Sequence, residues 1–462
     1  MTPRRATIDR PASCPLVMAF LIPIRPLPRS VADFRASSET GETGFSSSGA
    51  PSAPRGRRFV NGTIELFTTF QVWCLISTTG SGKIPAHRRI GLTMAKSRSN
   101  QRIDSIDFWR GIVLLSIFIN HVPGNVFEYL THKNIGLSDA AEAFVFLSGV
   151  SVALAYGRRF LSGELGTPTR ALGRRALTIY GVQVALSLVA VALFVTAAIV
   201  FDDDGLLAEH GRDIVVADPV RALLAIVGLS HQLGYFNILP LYIVLLLGTP
   251  AILALARVNS FLMLLVSALV YVGARTVGLN LPTWPVEGEW FFNPFAWQFL
   301  FCIGLFIGLH MRDVMMTRDN LLFAVCLVIL AASFFLVTNG FHLVPGLWDS
   351  VREGLDVSKT NLGLARLLHF LALAYVVSHL GLSKVFARTP VYAPLCLIGR
   401  HSLPVFAAGS LLSALGQIIQ HVHPPAFLDE IVLVGVGIVL HYLVARAFAE
   451  RTARRRAELR QA

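Results

Sequence analysis

The segment Arg110-Gly-Ile-Val-Leu-Leu-Ser-Ile-Phe-Ile-Asn-His121 is apolar enough to cross a membrane, yet it has an ionisable residue at each end. A charged side chain at the centre of a bilayer costs about 2.5 to 3.5 kcal/mol on insertion scales, so such residues usually mark function. Eleven helical residues return to within about 20° of the starting direction and rise by about 16 Å. We therefore predict one membrane helix that carries Arg110 and His121 on the same face.

The composition indicates a membrane protein that crosses the bilayer several times. Of its 462 residues, 54% are hydrophobic and 15% are charged, whereas a soluble domain carries about 25% charged residues. The mean hydropathy is +0.60. The net charge is +12, but the basic residues lie in loops rather than in a stripe interleaved with aromatics, so we expect no nucleic-acid partner. The five cysteines show no paired spacing that would indicate disulfides or a metal site.

The first 93 residues differ from the rest, because they are rich in Arg, Ser, Pro and Gly. We expect residues 1–93 to be a low-complexity extension that is disordered or mis-annotated. Met94 opens a compact basic leader, so translation could start there instead of at Met1; the intact mass of the native product would decide. Residues 94–450 are then the membrane domain, and residues 451–462 form a basic cytoplasmic tail.

The apolar runs after residue 107 predict an all-α, polytopic helical bundle. Each run has the length that a membrane-crossing helix needs. We count about ten spans, near residues 107–123, 139–156, 176–200, 237–256, 259–278, 294–310, 320–338, 362–381, 396–416 and 427–449. The stretch from Asp218 to Tyr235 fits an interfacial or re-entrant helix.

The charges of the loops give the orientation. Lys and Arg are concentrated before the first span, in every second loop after it, and in the C-terminal tail, as in Arg158, Arg159, Arg174 and Arg175 between spans two and three. Basic loops stay in the cytoplasm. The alternation therefore predicts cytoplasmic N- and C-termini, with Arg110 near the inner face and His121 toward the outer one.

A second polar cluster opens the next apolar run, Ser138-Asp-Ala-Ala-Glu-Ala-Phe-Val-Phe-Leu-Ser-Gly149. Asp139 and Glu142 are three residues apart and fall on one helix face. A short loop joins the two runs, so we expect antiparallel neighbours whose carboxylates begin at the membrane level where His121 ends. A carboxylate can orient an imidazole and stabilise its charged form. We therefore predict His121, Asp139 and Glu142 as catalytic residues.

Other polar residues within the apolar runs or near their ends are candidate substrate-binding groups. Asp107 and Arg110 are three residues apart and can pair on the helix surface. Helix–helix hydrogen bonds account for many such residues, so each one alone is a weak indicator. The predicted substrate-binding residues are Arg110, Asp107, Asn120, Asn293, Gln298, Lys359, Arg366 and His369, and no metal site is predicted.

These motifs together resemble the OpgC family of integral-membrane acyltransferases. The resemblance rests on Arg110-x10-His121, on the run from Ser138 to Gly149, and on Asn237-Ile-Leu-Pro-Leu-Tyr242, Phe292-Asn-Pro-Phe-Ala-Trp-Gln-Phe299 and Gly399-Arg-His-Ser-Leu-Pro-Val-Phe406. It covers about residues 102 to 450. It implies transfer of succinyl groups from cytoplasmic acyl-CoA to osmoregulated periplasmic glucans in the bacterial inner membrane. It further implies that acyl-CoA is a co-substrate, with no bound cofactor.

The resulting hypothesis is acyl transfer across the membrane. Acyl-CoA approaches Arg110 from the cytoplasm, and His121 takes the proton from a glucan hydroxyl or briefly carries the acyl group. Asp139 or Glu142 orients the imidazole, and Asn120 or Gln298 supplies an oxyanion donor. Two other classes stay open: a proton-coupled transporter or flippase of a cell-envelope precursor, and a structural partner in glycan assembly.

Overall fold

The computed structural model describes residues 104–311, 318–423 and 427–461. Within these ranges the regular structure is helical, apart from an isolated bridge between Pro282 and Glu289. The predicted N-terminal extension, residues 1–93, and the alternative start at Met94 lie outside the described residues. The all-α fold class predicted from the apolar runs is confirmed.

The described residues form ten principal helices, which follow one another in sequence. They are α1 (Asp104–Asn120), α2 (Ala140–Leu161), α3 (Gly166–Phe201), α4 (Ile238–Val258), α5 (Ser260–Val277), α6 (Pro294–Leu309), α7 (Asn320–Val337), α8 (Leu364–Leu380), α9 (Ser402–Val422) and α10 (Phe427–Gln461). Five shorter helices lie between them: Asp213–Ala217, Pro219–Val227, Leu347–Arg352, Leu382–Phe386 and Tyr392–Arg400.

Each predicted span overlaps one of the principal helices. Long apolar runs form helices in a membrane because a helix satisfies the hydrogen bonds of its own backbone. Among the helices of the described residues, seven are long and apolar enough to cross a membrane (α2, α3, α4, α5, α7, α9 and α10), whereas α6 and α8 are shorter apolar helices. The protein is thus a multi-pass membrane protein, and a total of ten crossings stays a prediction. The ninth predicted span, 396–416, is divided at His401, where the helix Tyr392–Arg400 ends and α9 begins.

Helices α2 and α6 pack closely because glycines replace side chains at their contact. A Cβ atom on Gly149 would lie 2.2 Å from the Phe301 carbonyl oxygen, and one on Gly304 would lie 2.2 Å from the Phe146 carbonyl oxygen. Gly308, one turn further along α6, approaches the Val150 backbone in the same way. Small residues four apart allow membrane helices to approach closely. This contact fixes the start of α2 relative to the bundle.

Helix α1 packs in the same manner against the short helix Tyr392–Arg400. A Cβ atom on Gly399 would clash with the Asp107 carbonyl oxygen, and one on Gly111 would lie 2.2 Å from the Leu395 carbonyl oxygen. The close approach brings Arg400 beside the first turn of α1. The motif around Gly399 therefore forms a packing surface for α1.

The connection between α3 and α4 folds over the end of α1 that carries His121. It contains two short helices, of which Pro219–Val227 lies within the predicted interfacial segment, Asp218 to Tyr235, and Asp213–Ala217 precedes it. Pro219 follows Asp218, whose side chain accepts a hydrogen bond from the Arg221 amide, so this helix begins with a capped first turn. The Gln183 side chain of α3 donates to the Phe236 carbonyl oxygen at 2.8 Å.

The last helix, α10, runs without a break from Phe427 to Gln461. It includes the arginine-rich residues predicted as a tail, and the chain from 451 to 461 is fully exposed along it. The predicted boundary at residue 450 therefore does not coincide with a helix end.

Candidate active site

His121 lies just beyond the last turn of α1, inside the protein. Its amide donates to the carbonyl oxygens of Ile117 and Phe118, each at 3.1 Å, and Gln417 of α9 donates to its carbonyl oxygen at 3.0 Å. The Nδ1 atom of its ring is buried and has no hydrogen-bond partner among the described residues. A buried polar atom without a partner costs free energy, so each one calls for an explanation.

The two predicted carboxylates form the N-terminal cap of α2. The Asp139 side chain accepts a hydrogen bond from the Ala141 amide at 2.8 Å, and Glu142 accepts one from the Asp139 amide at 2.8 Å. This reciprocal arrangement is a capping box. The spacing of three residues between Asp139 and Glu142 is thus the spacing that a capping box requires, whatever chemical role the two carboxylates have.

Both carboxylates also pair with cations from a distant part of the chain. Lys359 donates to Asp139 at 2.5 Å, and Arg366 of α8 bonds to Glu142 at 2.7 Å and to Asp139 at 3.1 Å. Glu142 is fully buried and Asp139 nearly so. The four charges balance, which permits a buried cluster that would be unstable if any partner were missing.

This pairing alters the role expected for the carboxylates. Asp139 or Glu142 was predicted to orient the His121 ring, but the hydrogen bonds of both carboxylates in the described residues go elsewhere. Asp139 bonds to the Ala141 amide, Lys359 and Arg366, and Glu142 bonds to the Asp139 amide and Arg366. The charges of Asp139 and Lys359 nevertheless act on the His121 ring. Their influence on the imidazole is therefore electrostatic.

The loop that carries Lys359 is held by residues of α6. Asn293 caps α6 and its side-chain amide donates to Asn361 at 2.9 Å, while its backbone amide donates to the Thr360 carbonyl oxygen at 3.0 Å. The indole of Trp297 donates to the carbonyl oxygens of Lys359 and Thr360 at 3.0 and 3.1 Å. Asn293, a predicted substrate-binding residue, thus positions Lys359.

A second set of contacts holds the same loop from α5. Arg275 forms an ion pair with Asp356, which also accepts a hydrogen bond from the Leu364 amide at 2.7 Å. Tyr271 donates to the Leu362 carbonyl oxygen at 2.8 Å, and Leu362 has a left-handed backbone conformation with φ of 47°. Lys359 is therefore fixed on both sides of the loop.

His369, one turn along α8 from Arg366, faces the residue before the capping box. Its Nδ1 atom lies 2.8 Å from the Ser138 hydroxyl, and a Cβ atom on Gly136 would collide with its ring. His369 is buried. Arg366 and His369, both predicted as substrate-binding residues, thus contact the start of α2 at two successive points.

Tyr235 covers the His121 ring from the α3–α4 connection. The two ring centroids are 4.7 Å apart, and His210 lies 4.9 Å from the other side of the tyrosine. Both Tyr235 and His210 have left-handed backbone conformations, with φ of 71° and 63°. Burial raises the pKa of Tyr235, so its hydroxyl stays protonated at neutral pH.

The opposite end of α1 carries a second charged group. Arg110 lies 3.8 Å from Asp107 and donates to the Ser402 hydroxyl, and Arg400 pairs with Asp104 at 2.5 Å and with Asp107 at 3.4 Å. A cavity of about 10 Å³ beside Arg110 is lined by Val113, Leu114, Phe144, Leu147, Ser148 and Ser402. A cavity of this size admits about one water molecule, so a larger ligand requires the helices to part.

Two predicted substrate-binding amides have packing partners. Both amide hydrogens of Gln298 are engaged, at 2.8 Å to the Ser267 carbonyl oxygen and 3.1 Å to that of Phe295, and its oxygen accepts from the Ser267 hydroxyl at 2.6 Å. Gln298 thus joins α5 to α6 and has no donor left for an oxyanion. Asn120 accepts a hydrogen bond from Thr131 at 2.7 Å.

His132, in the loop between α1 and α2, is a site residue that the sequence did not single out. The charges of Asp139, Arg366 and Lys359 act on the ring, and its Nε2 atom is buried without a partner in the described part of the chain. Polar loops show no periodicity, so the signal was only that His132 falls between the two motifs. Within residues 104–311, 318–423 and 427–461, no group of three His, Cys, Asp or Glu side chains could hold a metal ion.

The family model described as OpgC protein matches residues 102–453 of this chain. The match therefore includes every residue of the site described above. Comparisons with curated proteins and with solved structures gave no significant match.

Proposed function

The chain belongs to the family described as OpgC protein, and on that basis we propose that it is a membrane O-acyltransferase. The acyl group, succinyl in our proposal, passes from cytoplasmic acyl-CoA to a hydroxyl of a periplasmic glucan in the bacterial inner membrane. The observation that carries the proposal is the His121 ring, whose buried Nδ1 atom has no hydrogen-bond partner within residues 104–311, 318–423 and 427–461. A neutral imidazole is the side chain best suited to accept a proton near pH 7.

The reaction we propose begins at the Arg110 end of α1. Arg110, together with the loop arginines Arg158, Arg159, Arg174 and Arg175, meets the phosphates of the donor. The thioester reaches the His121 end, about 16 Å further along the helix. The small cavity beside Arg110 implies that donor binding separates α1, α2 and α9.

Acyl transfer then needs one proton acceptor. The hydroxyl oxygen of the glucan attacks the thioester carbonyl while its proton passes to His121, and the carbon–sulfur bond breaks to release the CoA thiolate. In the alternative order, His121 attacks the thioester carbonyl, releases CoA and carries the acyl group. The glucan hydroxyl then attacks this acyl group and frees the imidazole. In both orders the Lys359 and Asp139 charges act on the ring without bonding to it.

The charge cluster also favours an enzyme over a proton-coupled transporter. A proton relay needs carboxylates that gain and lose protons along a path. Asp139 and Glu142 are each bonded to a cation and to a main-chain amide, so neither can pass a proton along a path without breaking these bonds. Labelling of a glucan by purified protein and acyl-CoA would separate the two classes.

The decisive experiment uses the purified full chain with radiolabelled succinyl-CoA and periplasmic glucan. We expect labelled glucan from the natural protein and a loss of at least about 100-fold with His121→Ala, since general acid–base catalysis contributes about 10²- to 10⁴-fold. The matched control is His423→Ala, which alters an exposed histidine at the end of α9. Undiminished transfer by His121→Ala would refute this mechanism.

A further inference from the structure

Arg212 is a buried arginine to which the proposed mechanism assigns no role. It lies in the α3–α4 connection, and only 7% of its surface is exposed. Its Nε atom donates to the Glu209 carbonyl oxygen at 2.8 Å, and its guanidinium carbon lies 3.9 Å from the centre of the Phe194 ring of α3. These contacts hold the side chain in place, but neither of them brings an opposite charge.

The two terminal nitrogens of this guanidinium have no bonding partner. An arginine carries five N–H donors and stays charged in proteins, and only the donor on Nε has a hydrogen-bond partner among the described residues. The Glu209 carboxylate acts on Arg212 by its charge, but it is exposed and lies 3.7 Å from Nε2 of His210. A buried charge without a counterion is strongly destabilising, so the site calls for an anion that binds from outside.

Arg212 belongs to the group of side chains that covers His121. It follows His210 by two residues, and the Tyr235 ring lies between the rings of the two histidines, 4.7 Å from His121 and 4.9 Å from His210. The charge of Arg212 acts on both Tyr235 and His210. The unpaired cation is therefore part of the cluster that contains the proposed proton acceptor.

Backbone contacts fix this part of the connection. The Gly234 amide donates to the His210 carbonyl oxygen at 3.0 Å, and a Cβ atom on Gly234 would lie 2.6 Å from the Cβ atom of His210. The His231 ring bonds to the Gly211 carbonyl oxygen at 2.8 Å. The segment that carries Arg212 is thus packed against the segment that carries Tyr235, which pre-organises the cation for a ligand.

The guanidinium group indicates the chemistry of that ligand. Its planar fork matches a carboxylate or a phosphate, which can accept two parallel hydrogen bonds. The succinyl group that we propose carries a free carboxylate two methylene groups beyond the carbonyl carbon that reacts at His121. This carboxylate must therefore lie close to the imidazole during transfer, whereas the phosphates of the donor stay at the Arg110 end, about 16 Å along α1. An anionic substituent on the glucan would offer the same chemistry.

We propose that Arg212 binds the free carboxylate of the acyl group, and so makes the protein select dicarboxylic over monocarboxylic acyl donors. This inference rests on the proposed acyltransferase function and assigns one residue to its donor specificity. The carboxylate supplies the counterion that Arg212 lacks. The guanidinium in turn anchors the far end of the acyl chain while its carbonyl carbon reacts at His121.

The test compares succinyl-CoA with butyryl-CoA, which has the same four-carbon chain without the free carboxylate. The purified full chain is assayed with each donor and with periplasmic glucan, and we expect the natural protein to prefer succinyl-CoA. Arg212→Gln should lower kcat/KM for succinyl-CoA about 10- to 100-fold, as the loss of a hydrogen bond to a charged group does, and leave kcat/KM for butyryl-CoA unchanged. Arg212→Lys, which keeps the charge without the fork, should retain part of the preference.

The matched control is Arg221→Gln, which alters an exposed arginine in the same connection and should keep the full preference. Melting temperatures separate binding from folding. Because Arg212 has no ion-pair partner among the described residues, removing its charge should not lower the melting temperature of the protein without ligand.

The remaining outcomes separate this inference from the function on which it rests. A natural protein that is inactive with both donors refutes the acyltransferase proposal, and the inference with it. If the natural protein is active, equal use of both donors, or a preference that survives in Arg212→Gln, shows that the inference alone is wrong. A loss of activity with both donors and a lower melting temperature would show a structural role, and a higher glucan KM with both donors would place the anion on the glucan. Either result overturns the inference as well.

Discussion

Glu142 is a fully buried carboxylate bonded to Arg366 at 2.7 Å and to the Asp139 amide at 2.8 Å. Removing its charge leaves Arg366 with Asp139 alone. Breaking a buried ion pair from one side costs about 3 to 5 kcal/mol, because the remaining charge stays out of water.

We therefore predict that Glu142→Gln strongly destabilises the protein in detergent. The melting temperature, followed by aggregation of the purified chain on heating, measures the loss. The double variant Glu142→Gln with Arg366→Met should lose less than the two single variants added together, since contacting residues are not additive. Strict additivity would contradict the pairing.

The pH dependence of stability offers a second test at this scale. Burial lowers the pKa of His132 in the folded protein, whereas an unfolded histidine titrates near 6.5. Below about pH 6.5 the unfolded chain therefore binds a proton that the folded site resists, so folding stability falls as the pH is lowered.

We predict that His132→Gln flattens part of this decline. Melting temperatures of the natural protein and of the variant are measured at pH 8 and at pH 5.5. The difference in melting temperature between the two proteins should be smaller at pH 5.5 than at pH 8. The charges of Asp139, Arg366 and Lys359 and the ring of His369 are the groups that face His132. Parallel curves for the two proteins would show that His132 does not titrate in this range.

Residue-level chemistry was only partly predictable from the sequence. The spacing of Asp139 and Glu142 was visible, and so was the position of His121 at the end of an apolar run. Their bonding partners were not, because Lys359 and Arg366 lie more than 200 residues further along the chain. Local patterns report the helix face on which a residue lies, and they do not report which distant helix meets that face.

At the scale of elements, the glycine contact between α2 and α6 gives a sharp prediction. A methyl group on Gly149 would lie 2.2 Å from the Phe301 carbonyl oxygen, whereas one on Gly181 of α3 would have no atom within 4 Å. We expect Gly149→Ala to destabilise the protein by about 1 to 3 kcal/mol through overpacking. Gly181→Ala should be neutral or stabilising by up to about 1 kcal/mol, because alanine favours the helix. Equal melting temperatures for both variants would argue against this packing.

The α3–α4 connection yields a second prediction. A left-handed conformation costs a residue with a side chain about 1 to 2 kcal/mol, yet Tyr235 adopts it next to His121 and His210 adopts it next to Tyr235. Strained residues that persist beside a site often serve it. We expect Tyr235→Phe to retain kcat and Tyr235→Gly to lower it at least about tenfold, although glycine relieves the strain. Full activity of the glycine variant in the glucan-labelling assay would show that the Tyr235 ring is not needed for catalysis.

The helices themselves were well predicted, because hydropathy over about twenty residues is a property of each segment alone. The interruption at His401 was missed, since Gly399 to Phe406 is continuous with its apolar neighbours. What ends the first helix there is its packing on α1, where Gly399 approaches the Asp107 backbone. Between α3 and α4 only the helix Pro219–Val227 falls in a segment predicted to be helical, and Asp213–Ala217 was not predicted, because it is short and lies among turn residues.

For the whole molecule, the distribution of Lys and Arg predicts that both termini and the α8–α9 connection are cytoplasmic. Alkaline phosphatase fused after Ala208 should be active, because it needs the oxidising compartment outside the membrane for its disulfides. Fusions after Arg388 and after Gln461 should be inactive. We count an even number of membrane crossings before Arg388. An active alkaline phosphatase fused after Arg388 would mean that this number is odd.

The charge cluster has a consequence for how the chain is made. Asp139 and Glu142 leave the ribosome more than 200 residues before the cations that neutralise them in the finished protein. During synthesis the early hairpin of α1 and α2 therefore carries two acids that must stay close to water or a chaperone until α8 arrives. Helix α2 then reaches its final packed position late in biogenesis. In a nascent chain arrested before Lys359, the Asp139 side chain should therefore remain accessible to water-soluble carboxyl reagents.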